Sequence, residues 1–90
     1  MNNLTNSINL TQVTRLYPGC QVLAITQFYV PGKGFCETLP SGRRCTDNDQ
    51  YIEDVFYSCI DAGATSVQLY VRNPKTGGIS YPDYNINELL

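Results

Sequence analysis

Four cysteines, eight carboxylates, six basic side chains and seven tyrosines are what this chain of 90 residues offers for chemistry, and it contains no histidine. Without histidine it lacks the commonest general base, the commonest metal ligand and the usual partner of a Ser or Cys nucleophile. The cysteines, Cys20, Cys36, Cys45 and Cys59, never stand two to four residues apart, the spacing of a zinc knuckle. The sequence therefore nominates no metal ligands and implies no cofactor. Cys36 and Cys45 bracket the turn Leu39-Pro40-Ser41-Gly42. A two-residue loop there would set the two thiols opposite each other, whereas a glycine bulge at Gly42 would set Glu37 opposite Cys45. Cys45 also follows Arg43 and Arg44 and precedes a predicted helix, and both features favour a thiolate. Asp47 opposes that, and no base is at hand, so a thiol-dependent enzyme centred on Cys45 ranks below the binding readings.

Charge is segregated along the chain. Asp47, Asp49, Glu53, Asp54 and Asp61 fall in one stretch without a single Lys or Arg. As a solvated helix face they need no further explanation; as a patch they would dock on a basic partner. Lys33, Arg43 and Arg44 sit in predicted turns, where they could converge on an anion such as a phosphate or nucleotide. Pro31-Gly32-Lys33-Gly34 is not a P-loop, because no Gly-Lys-Ser/Thr element follows it. The net charge of −2 excludes strong electrostatic binding of nucleic acid and a basic membrane-docking patch. Tyrosine supplies contact area at low entropic cost and is enriched at interfaces, so Tyr29, Tyr57 and Tyr70 are candidate contact residues.

The elements that position these groups read as follows. Residues 1–19 form an Asn/Thr-rich arm in which Asn9 can cap a short helix over 10–17, ended by Pro18-Gly19. Residues 20–90 form a single domain. Residues 20–30 make a strand rich in Val, Ile, Phe and Tyr. By simple alternation one face carries Cys20, Val22, Ala24, Thr26, Phe28 and Val30, and the other Gln21, Leu23, Ile25, Gln27 and Tyr29. Residues 35–38 and 43–46 read as two short strands around the 39–42 turn.

Ile52, Val55, Phe56, Cys59 and Ile60 recur at helical spacing, which predicts an amphipathic helix over 47–62. Asp47 with Gln50 has capping-box spacing, and Gly63 sits where a left-handed C′ residue belongs. Residues 65–72 alternate as a strand with Val67, Leu69 and Val71 on its buried face. A hairpin loop over 73–78 returns the chain as a strand over 79–81, which Pro82 confines to an edge. The tail, 83–90, is polar until Leu89-Leu90.

One amphipathic helix covers one face of a sheet, so the sequence predicts an α+β two-layer sandwich with four to five mostly antiparallel strands. The second sheet face, bearing Tyr29, Tyr70 and some of Leu23 and Ile25, is left for the arm (Leu4, Ile8, Leu10, Val13) or for another chain. No signal-peptide pattern is visible, and no apolar run approaches the ~20 residues of a membrane span. The functional expectation is a cytoplasmic, non-enzymatic protein-interaction module of adaptor or inhibitor type, such as phages and mobile elements encode. It would form a homodimer and contact a protein partner through Glu53, Asp54, Tyr57, Tyr29 and Tyr70, with no nucleic acid and no membrane. The alternative is a small anion or nucleotide binder using Lys33, Arg43 and Arg44.

Overall fold

The computed structural model describes residues 8–90. In chain order these form α1 (Thr11–Leu16), β1 (Gln21–Val30), β2 (Gly34–Cys36), α2 (Ile52–Asp61), β3 (Ser66–Arg72), β4 (Ile79–Ser80), β5 (Asp83–Asn85) and α3 (Ile86–Leu89). Every strand pair is antiparallel, in the order β2-β1-β3-β4. β4 and β5 divide the outer edge of β3 between them, with Pro82 in the gap; its carbonyl accepts the Leu69 N–H at 2.9 Å. A proline has no N–H to give a further strand, which suits it to this edge. α2 lies on one face of the sheet, and the molecule is the α+β sandwich that the periodicities predict.

The core lies between α2 and that face. Val55, Phe56 and Cys59 of the helix meet Ile25, Phe28 and Val30 of β1 and Val67, Leu69 and Val71 of β3, all buried. Val13 of α1 joins the same core, and the Asn9 N–H donates to the Leu89 carbonyl at 2.8 Å. Asn9 also accepts the Thr11 N–H on its side-chain oxygen at 3.0 Å, the start of a short helix that the sequence anticipates. Leu4 lies outside the described residues.

Several expectations are corrected. β1 does not alternate simply. Its pairing with β3 slips by one residue between Val22 and Ala24 and again between Ile25 and Gln27. Leu23 and Thr26 are thus extra residues, two β-bulges within ten residues of strand. Each bulge swaps the faces, so Ile25 turns into the core, against the expectation, and Ala24 joins Gln27 and Tyr29 outside.

The helix covers its apolar stripe but is shorter than the predicted 47–62, beginning at Ile52 behind an extended Tyr51. Residues 46–50 are held instead by polar bonds to the preceding turn: the Arg43 guanidinium meets Asp47 and Asp49, and the Gln50 amide donates to the Arg44 carbonyl at 2.8 Å. These bonds compete with helical winding, and no Asp47–Gln50 box forms. The capping box lies at Asn85 and Glu88, where the Glu88 carboxylate accepts the Asn85 N–H at 2.8 Å. The two strands predicted at 35–38 and 43–46 reduce to β2 and a single bridge, Thr38 with Arg44. The tail is not merely polar: Tyr84, Ile86 and Leu89 are buried. Gly63 ends α2 at φ +93°, as expected of a C′ glycine.

Candidate interaction surface

The helices and the core occupy one side of the sheet; the other side is open. Register places four rows across it. Phe35, Tyr29, Ser66 and Asn85 form the first, and Gln27, Gln68 and Asp83 the second. Ala24 and Tyr70 lead the third, with Tyr81 stacked on Tyr70 at 5.6 Å between ring centres. Gln21, Arg72 and Ile79 form the fourth. Tyr29 and Phe35 meet edge to face at 5.2 Å. Large apolar side chains remain in solvent here: Phe35 is 68% exposed, Tyr81 55%, Ile79 50% and Tyr29 36%. Leu23, the extra residue of the first bulge, borders instead a small cavity beside Cys45 and Ile52.

Polar groups between the aromatic pairs are fixed rather than loose. The Thr26 hydroxyl donates to the Gln68 side-chain oxygen at 2.8 Å. The centre of the face is therefore amide and hydroxyl, flanked by rings, with one cation, Arg72, and one carboxylate, Asp83, toward the β3 edge. Aromatic enrichment and a centre poor in charge are the compositional marks of an interface core. No element among the described residues covers this face; Val13, one residue offered for that cover, is in the core instead.

The remaining candidates lie elsewhere. Glu53 and Asp54 are exposed on the first turn of α2, where their charge complements the helix dipole. They face away from the sheet, so the acidic patch and the tyrosine face are on opposite sides of the molecule. Tyr57 is half-buried, edge to face with Phe56 at 5.3 Å. Of the basic residues offered for an anion site, Arg43 pairs with Asp47 and Asp49, and Arg44 with Glu37 at 2.8 Å. Lys33 lines a groove of about 270 Å³ floored by Phe28, Val30, Leu39 and Ala62.

All four cysteines are free thiols. The Leu39–Gly42 turn takes the glycine-bulge form, with Gly42 at φ +92°, and the Cys45 N–H donates to the Glu37 carbonyl at 2.8 Å. Glu37 thus opposes Cys45, and Cys36 is out of register with it. Burial is the main influence on the Cys45 thiol and pushes it up to about 11, with Glu37 and Asp47 adding to the shift and the backbone and Arg44 opposing it. Such a thiol stays protonated at neutral pH, the reverse of an activated nucleophile. It borders a cavity of about 50 Å³, which is room for water and for no substrate. Among the described residues no cluster of Cys, Asp and Glu is arranged to hold a metal, and no helix is long and apolar enough to cross a membrane.

Phe35 and Tyr81 were not legible as site residues from alternation alone. Phe35 had a signal: a turn over Pro31, Gly32 and Lys33 pairs Val30 with Gly34 and so Tyr29 with Phe35. Tyr81 had none, because its place follows from the Pro82 break in the edge strand. No protein-family model matches this chain, no curated protein matches it, and no solved structure matches it.

Proposed function

We propose that this chain is a non-enzymatic protein-interaction module that docks through the open face of its sheet, with Tyr29, Phe35, Tyr70 and Tyr81 as its anchors. The observation that supports it is the cluster of exposed Tyr29, Phe35, Ile79 and Tyr81 on one face, around an amide-lined centre; the other large apolar side chains in solvent, Leu16, Leu23, Tyr51 and Leu90, do not add to it. Rings of this kind are the residues on which binding energy concentrates. The acidic outer face of α2, with Glu53 and Asp54, is a separate surface that can meet a second, basic partner from the other side. Four free thiols suit the reducing cytoplasm in which such a module would work. An anion-binding role has less support, because Arg43 and Arg44 already meet carboxylates of their own chain. Nucleic acid is disfavoured on this face by its charge, one cation against one carboxylate.

The test is site-specific photo-crosslinking in host cells. A benzophenone side chain at Gln27, in the middle of the face, should yield discrete protein adducts, and one at Lys75, in the β3–β4 loop, should not. If Gln27 and Lys75 give the same background, the face is not a docking surface.

A further inference from the structure

We infer that the groove beside Lys33 binds a free medium-chain carboxylate, an apolar tail ending in one carboxylate head; this is independent of the open sheet face. Two observations carry it. The first is the floor and its size. Phe28 and Val30 are buried, core-facing residues of β1, Leu39 is buried in the turn that follows β2, and Ala62 is the C-cap of α2. Ala62 carries only a methyl group, which leaves space that a larger side chain would fill. A dry cavity of ~150 Å³ takes a benzene ring, so the 270 Å³ here takes about ten non-hydrogen atoms. Octanoate matches that size.

The second observation is charge. The turn after β1, closed by the Lys33 N–H on the Val30 carbonyl at 2.9 Å, with Gly32 at φ +86°, sets Lys33 on the groove wall. Arg43 and Arg44 are taken up by Asp47, Asp49 and Glu37, whereas Lys33 has no carboxylate partner among the described residues. An apolar floor with one unpaired cation beside it complements an apolar tail with one anionic head, and a few polar groups in a mostly apolar pocket fix a ligand's orientation. The Thr38 hydroxyl lines the same groove and can donate to the second carboxylate oxygen. Lys33 is exposed, so its ion pair with the head is worth only about three- to fivefold in affinity. The tail therefore supplies most of the binding, and the lysine selects the acid over a neutral alcohol. A nucleotide is too large for this floor and brings more charge than one lysine meets.

The experiment is an amide-resolved NMR titration of the full chain with octanoate and, separately, with octanol. Octanoate should bind with a dissociation constant on the order of 0.1–1 mM, modest for a ligand of this size. The shifted amides should be those of Val30, Lys33, Leu39 and Ala62. Octanol should bind the same residues about three- to fivefold more weakly. Lys33→Gln, in an exposed turn, should bring octanoate down to the level of octanol and leave octanol unchanged. Ala62→Phe should fill the groove and abolish both. Unchanged circular dichroism confirms that each variant folds. Absence of shifts at these residues overturns the inference, as does equal binding of acid and alcohol by the wild type, or octanoate binding indifferent to Lys33→Gln. Shifts confined to the open face around Tyr70 and Tyr81 overturn it too, and leave the docking face standing.

Discussion

Thr26 and Gln68 are joined across the open face by a 2.8 Å hydrogen bond between side chains, and the same hydroxyl lies 3.3 Å from the Gln68 carbonyl. The contact exists because Thr26 has no partner of its own in the β1–β3 ladder. It is the extra residue of a bulge, turned out of register between Ile25 and Gln27.

A counterintuitive deletion result follows. Removing Thr26 would leave Ile25 opposite Leu69 and Gln27 opposite Gln68, with every other side chain on its present face. The fold should survive, with a loss of about 1 kcal/mol from the missing hydroxyl bond. Deleting Gln68 from β3, which has no bulge, should unfold the protein, because a one-residue slip turns half of that strand's core residues outward. Thermal melts of the two deletions check this; equal loss in both would mean that Thr26 is an integral rung.

Phe56 sits at the centre of the helical stripe with no exposed surface. Phe56→Ala should cost about 3–5 kcal/mol, a large fraction of what so small a domain holds. Chemical denaturation should show either a markedly lower midpoint or no cooperative transition. A midpoint close to wild type would mean that α2 is not the lid of the core.

The Tyr84 hydroxyl is buried without a hydrogen-bond partner among the described residues. Tyr84→Phe keeps the ring and removes that group, so it should stabilise the protein by about 1 kcal/mol. A lower melting temperature in the variant would show that the hydroxyl is satisfied after all.

Stability should fall in alkali. Burial raises the Cys59 thiol to about 12, with the charge of Cys45 adding to it, and raises Cys45 to about 11, both from an ordinary 9.0. The folded state holds protons that the unfolded chain releases above pH 9. The stabilisation is therefore intact below pH 9 and is lost as pH climbs through 11 and 12. At pH 10 each thiol should account for on the order of 1 kcal/mol. Burial raises Tyr84 as well and adds to the same trend. A pH series of melts should show a flatter alkaline limb in Cys59→Ala than in wild type. Parallel limbs would exclude the thiols as its cause.

The periodic signals in this sequence were reliable where tertiary context agreed with them. The stripe from Ile52 to Ile60, the alternation of Val67, Leu69 and Val71, and Gly63 each encode one physical requirement that the fold meets. β1 misled because a bulge leaves no mark on composition: Ile25 and Tyr29 share a parity but lie on opposite faces. The helix start misled because Asp47 has the chemistry of a cap and yet serves Arg43. The tail misled because three buried residues, Tyr84, Ile86 and Leu89, are spaced for neither a long helix nor a long strand. The open face inherits these errors, since its membership depends on both bulges and on the break at Pro82.

The bond from Asn9 to Leu89 sets an order of events during synthesis. Val13 and β1 emerge from the ribosome early, but the core they line is not closed until Tyr84, Ile86 and Leu89 have followed. Through most of translation β1 carries its apolar side chains without β3 beside it. A nascent chain in that state is an aggregation hazard and a natural client for a chaperone. Slowing elongation before β3 has left the ribosome should therefore lower the yield of soluble protein.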